Sequence, residues 1–158
     1  MIASQVRFFW VCCMLLFLAV ILAWYGMDFS TSPAGGDYQQ AMTDSDCDLH
    51  NGPCFATLQS GETIQFEISP FPIKPLTDLQ LTVSSEKLKI EAVKVDFKGI
   101  GVDMGFYRPE LASTGEGRFI GSAKLSVCTL DRMLWQASVI VKTPQGVVIA
   151  PFRFEVEQ

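Results

Sequence analysis

The sequence predicts an all-β domain, a two-sheet sandwich of about seven short strands, preceded by a single N-terminal transmembrane helix. Three observations lead there. An uncharged apolar run fills residues 8–27. From Cys54 onward, apolar residues recur with a period of two. Turn-forming residues then divide that pattern at short intervals.

The N-terminal run holds 18 residues without a charge from Phe8 to Tyr25, and Gly26 and Met27 extend it to 20. A helix of that length reaches about 27–30 Å, the hydrocarbon thickness of a bilayer. Trp10 near one end, and Trp24 with Tyr25 at the other, suit the two interfacial belts. Arg7 and the amino terminus favour the cytoplasmic side, whereas Asp28 and an acidic stretch follow on the other side. The expectation is an anchor over 1–27, in contact with the lipid bilayer through 8–27, with its N-terminus cytoplasmic and the domain outside. A cleaved signal peptide is the competing reading. Its apolar core usually spans about 7–15 residues and ends at a small-x-small site. This run is longer and ends in Trp24-Tyr25.

Residues 28–46, with Ser30-Thr31-Ser32-Pro33-Ala34-Gly35-Gly36, read as a flexible tether. The domain proper is expected over 47–158. Its strands follow from alternation: Phe55–Gln59; then Ile64, Phe66 and Ile68; then Leu79, Leu81 and Val83. Leu88, Ile90 and Ala92 start a further strand whose phase shifts to Val93, Val95 and Phe97, which suggests a bulge. Phe119, Ala123, Leu125 and Val127 form another set, followed by Trp135, Ala137, Val139 and Val141. Val148, Ala150, Phe152, Phe154 and Val156 complete the pattern. Gln59-Ser60-Gly61, Ser69-Pro70-Phe71-Pro72, Gly115-Glu116-Gly117 and Thr143-Pro144-Gln145-Gly146 supply turns between these runs. Seven strands at this spacing favour an immunoglobulin-like sandwich. A small barrel is the alternative.

Composition excludes one large class of partners. The formal net charge is −5, and Arg7 is the only Lys or Arg before Lys74. Such a domain does not attract phosphate backbones, so no nucleic-acid partner is expected. Catalysis also lacks a foundation, and the chain reads as a non-enzyme. There is one histidine, no nucleophile elbow, no zinc-ligand spacing and no phosphate-binding glycine loop.

Between Lys98 and Gly117 the alternation lapses. Gly99-Ile100-Gly101-Val102-Asp103-Met104-Gly105-Phe106-Tyr107-Arg108-Pro109 is a glycine-punctuated loop, the kind that carries function on a rigid β scaffold. Phe106, Tyr107 and Arg108 are candidate partner-binding residues, because Tyr and Arg are enriched at binding hot spots. The plainer role for Arg108 is a rim ion pair with Asp103 or Glu110.

The motifs Met104-Gly105, Arg108-Pro109-x-Leu111, Gly115-x-Gly117-Arg118-Phe119-x-Gly121 and Trp135-x-Ala137-x-Val139-x-Val141 resemble the pattern of YtkA-like domains. These are small immunoglobulin-like modules of bacterial envelopes, and the anchored FixH-type proteins are similar in layout. The resemblance covers roughly residues 77–142. It implies a periplasmic domain held at the inner membrane, associated with copper handling or with assembly of respiratory oxidases. The sequence departs from copper-carrier patterns in lacking a His-rich or Met-rich cluster and a C-x-x-x-C motif.

Sulfur chemistry completes the candidates. Cys47 and Cys54 bracket a Gly-Pro turn and can form a disulfide; pairing of either with Cys128 is the alternative. Met104, Cys128 and Met133 are candidate soft ligands for Cu(I). As core filler they would need no metal. His50 is expected to be an exposed turn residue. Three readings follow: a tethered envelope accessory module that handles copper or matures a membrane complex, a metal-free domain docking such a complex through 99–109, and a thiol-redox accessory.

Overall fold

The computed structural model describes Met14 and residues 38–102, 105, 107–126 and 132–157. The expected anchor over 8–27 lies outside the described residues apart from Met14. Among the described residues no helix is long and apolar enough to cross a membrane.

The domain is all-β. Its ten strands are β1 (Tyr38–Gln40), β2 (Met42–Thr43), β3 (Cys54–Thr57), β4 (Thr63–Ser69), β5 (Leu79–Ser84), β6 (Ala92–Gly99), β7 (Glu110–Gly115), β8 (Arg118–Ala123), β9 (Arg132–Thr143) and β10 (Gly146–Glu157). They form one nearly closed ladder in the order β1-β10-β9-β6-β7-β8-β5-β4-β3-β2. Each of the seven expected runs overlaps a strand, although Leu58, Gln59, Leu88, Ile90 and Leu125 fall in loops and Val127 lies outside the described residues; β1, β2 and β7 are additional.

Alternation explains which side faces inward. In β6 the residues Val93, Val95 and Phe97 are buried while Lys94 and Lys98 are exposed. In β10 the buried set is Val148, Ala150, Phe152, Phe154 and Val156. A period of two sends every second side chain to the same face, so each strand contributes one apolar edge to a shared core. The two ends of the ladder order meet across that core. Phe66 of β4 and Phe152 of β10 lie 5.2 Å apart between ring centroids, at a tilt of 40°. Each such fully buried side chain contributes on the order of 1.5–3 kcal/mol.

Three expectations change. The tether expected over 28–46 overlaps paired backbone, because β1 runs parallel to β10 and β2 antiparallel to β3. Tyr38-Gln39-Gln40 carries no apolar alternation, and main-chain pairing alone makes it a strand. Second, the phase shift at Ala92–Val93 marks the start of β6 and not a bulge within a longer strand. Leu88 and Ile90 pack against the core from the preceding loop, where Ser85 Oγ donates to Thr63 O at 2.6 Å and accepts from Leu88 N. Third, β7 occupies part of the stretch read as an irregular loop. Five of its six residues (all but Leu111) are exposed, so hydropathy does not reveal it.

β7 depends on a glycine. A Cβ at Gly121 of β8 would stand 2.9 Å from Leu111 Cγ and 3.2 Å from Glu110 O. The missing side chain is what lets Leu111 seat in the core against β8. Gly121→Ala is expected to lower stability by about 1–3 kcal/mol through overpacking. Denaturant melting checks it, and an unchanged midpoint would show that Leu111 has room to move.

Candidate functional site

The end of the 99–109 segment is shaped by β6. Phe97 N donates to Tyr107 O and Val95 N to Pro109 O, both at 3.0 Å, so residues 107–109 continue the line of β7. Strand geometry then sends neighbouring side chains to opposite faces. Tyr107 lies over the buried ring of Phe97, with centroids 6.1 Å apart, and its phenol oxygen accepts from Lys124 N. It remains 42% exposed. Arg108 points the other way and donates to Asp96 Oδ2 at 3.2 Å. Tyr107 and Arg108 therefore do not share one surface, and Phe106 lies outside the described residues.

The ion pair of Arg108 also differs from expectation. Glu110 stands opposite Lys94 across the β6–β7 ladder and pairs with it, which brings Arg108 level with Asp96. Asp103 lies outside the described residues. The hydrogen bond and charge of Asp96 push the Arg108 guanidinium above its usual range. The second oxygen of this carboxylate, Oδ1, is buried and has no partner among the described residues.

The candidate sulfur site divides. Met104 and Cys128 lie outside the described residues. Met133 sits on the inward face of β9 opposite Val156 and is 6% exposed. Its described surroundings are those of a core methionine. Among the described residues no group of three or more His, Cys, Asp or Glu is placed to hold a metal ion.

Cys47 and Cys54 are joined in a disulfide, with their Cα atoms 5.6 Å apart. The loop they close is ordered from within. Asp48 accepts from His50 N at 3.0 Å and from Asn51 Nδ2 at 2.7 Å, the pattern of an Asx turn. Leu49 is fully buried and plugs the loop into the core. His50, expected to be solvent-exposed, is half-buried and uses both ring nitrogens. Nδ1 accepts from Ile73 N at 3.3 Å, and Nε2 bonds to Glu155 O at 2.5 Å. A backbone N–H only donates and a carbonyl only accepts, so the ring is the neutral tautomer with its proton on Nε2. Nothing in the sequence around His50 points to a carbonyl 105 residues away.

Two concavities adjoin these features. One, of about 800 Å³, is lined by Asp48, His50, Ile73, Lys74, Glu155 and Glu157 among others. The second, of about 760 Å³, runs beside residues 40–45 and the disulfide and includes Gln136, Pro151 and Arg153. Pro151 and Arg153 alternate with buried residues along β10, which puts them on the outward face beside Gln136 and Ser138 of β9.

No protein-family model and no curated protein matches this chain. Among solved structures it is similar to part of an engineered protein, at 14% identity with a TM-score of 0.41. The likeness covers 61% of this chain, which spans about a fifth (20%) of that one.

The loop chemistry yields a direct test. Peptide mapping without reduction is expected to recover Cys47 and Cys54 in one cross-linked fragment. Replacing both with Ser should cost about 2–3 kcal/mol, the closure entropy of so short a loop. A fragment joining either residue to Cys128 would overturn the pairing.

Proposed function

We propose that this chain is a membrane-anchored, non-enzymatic accessory module of the bacterial envelope, with its β-domain in the periplasm docking a membrane protein complex. The supporting observation is the outward face of β6, β9 and β10. Ile140, Ile149 and Pro151 are only half-covered there, and Leu134 is 41% exposed. Pairs Arg108–Asp96 and Lys94–Glu110 border this apolar strip. Lys98 and Arg153 flank Gln136 in one cross-strand row, and no described carboxylate pairs with either.

The outward face formed by β3, β4 and β5 differs in presenting one isolated large apolar side chain, Phe55, 47% exposed, among Thr57, Thr63, Gln65, Glu67 and Gln80. An apolar strip rimmed by polar and charged groups is the usual anatomy of a docking patch. The 99–109 segment reaches this face through Arg108. An anchor over 8–27 would raise the local concentration of the domain near a membrane partner, so a modest patch suffices.

An immunoglobulin-like sandwich is the finer reading of the fold. The orders β4-β5-β8-β7 and β7-β6-β9-β10 support it, since β5 to β6 and β8 to β9 pass from one half of the ladder to the other. The copper-handling alternative rests on the YtkA-like and FixH-type resemblance and on Met104 and Cys128. The burial of Met133 favours the interaction reading over it.

The test is site-specific photo-crosslinking in intact cells expressing the full chain. A crosslinker at Ile140 or Arg153 is expected to capture an integral membrane protein, while one at Gln65 captures none. Equal capture at all three positions would sink the docking face. A reporter fused after Gln158 that works only in the cytoplasm would sink the topology.

A further inference from the structure

The geometry points to His50 as a proton-operated latch on the segment of residues 72–77. This inference is independent of the docking face. Three parts of the chain meet at one imidazole: the disulfide-closed loop that carries it, the backbone N–H of Ile73, and the carbonyl of Glu155 on β10. It is the only histidine in the chain. Histidine is the side chain whose ordinary charge change falls between about pH 5 and 8.

The latch follows from donor and acceptor counting. In the neutral ring, Nδ1 offers a lone pair to Ile73 N–H while Nε2–H donates to Glu155 O. Protonation places a second N–H on Nδ1, facing the N–H of Ile73. Two donors cannot bond, so that link is lost, while the link to Glu155 becomes charge-assisted and shorter. The ring then pivots on β10 and releases Ile73.

Charged groups come from every element around the ring. Asp48 lies on its own loop, with its carboxylate already engaged by His50 N and Asn51. Lys74 lies on the latched segment, and Glu155 and Glu157 project from β10. Arg132 of β9 ties both of these glutamates, at 3.0 and 2.7 Å. A released imidazolium turns toward the carboxylates of β10 and away from Lys74.

The consequence falls on the concavity of about 800 Å³, whose walls include both His50 and the latched segment. Ile73 is 2% exposed and keeps its apolar seat, so release loosens that wall without unfolding the domain. The disulfide and Leu49 keep the latch loop itself in place.

Amide hydrogen exchange of the full-length chain tests this, with each rate corrected for its intrinsic pH dependence. Between about pH 7.5 and 5 the protection of Ile73 is expected to fall on the order of tenfold, relative to the amide of Val95, bonded to Pro109 O. In His50→Gln, whose amide accepts and donates but does not titrate, Ile73 protection should be level across that range. Ile73 tracking Val95 in the natural chain overturns the latch, as does a fall that persists in His50→Gln. Should that variant not fold, ring nitrogen shifts of the natural chain serve instead. They should report the Nε2–H tautomer at the upper pH and protonation coincident with the loss at Ile73; a loss displaced from the ring titration overturns the proposal.

Discussion

Two stretches of chain divide their backbone hydrogen bonds between opposite parts of the ladder, and the domain depends on that division. β7 pairs Leu111 and Glu110 with β6, then turns Ala112 onward to β8. Residues 38–43 do the same at the other side: Tyr38–Gln40 against β10, Met42–Thr43 against β3, with Ala41 buried at the crossing. A strand edge left open carries unpaired N–H and C=O groups and invites pairing with other chains. Here short, polar pieces of chain occupy both edges. Thr43 Oγ1 adds a side-chain bond to Pro151 O at the crossing.

This closure also decides where chemistry can sit. Because β7 leaves β6 after two paired residues, the residues just before it lie alongside β6 and inherit its register. The pairing of Arg108 with Asp96, and the lid that Tyr107 makes over Phe97, both follow from that alignment. At the far end of β10, the disulfide-closed loop covers the domain end, with Leu49 as its plug and His50 as its tie. The two regions adjoin on β10, where Glu155, whose carbonyl holds His50, stands opposite Leu134 of the apolar strip.

Among the described residues a few local devices satisfy polar groups in the interior. Thr143 Oγ1 donates to Gly146 O and accepts from Gln145 N, locking the turn between β9 and β10. Ser85 performs the same service after β5. The unpaired Oδ1 of Asp96 is the exception among the described residues, and it lies on the candidate docking face. A buried acceptor without a partner costs on the order of 1–3 kcal/mol.

Much of this domain was legible in one dimension. Strict alternation located seven strands, because a half-buried strand must send apolar side chains to one side, and that demand is written locally. The Gly-Pro loop between Cys47 and Cys54 showed that a local disulfide was feasible for the same reason. What local pattern cannot carry is pairing through the main chain alone. β1, β2 and the exposed half of β7 exist because a neighbour offers them hydrogen bonds, whatever their side chains. Register, likewise, belongs to two strands at once, so the partner of Arg108 could not be read from its neighbours in sequence. His50 is the clearest case: its chemistry is set by Ile73 and Glu155, which only the folded chain brings to one ring. Sequence determined which faces are buried, through the hydrophobic effect on each residue in turn; tertiary structure decided who bonds to whom, because hydrogen bonds and ion pairs need two partners in place.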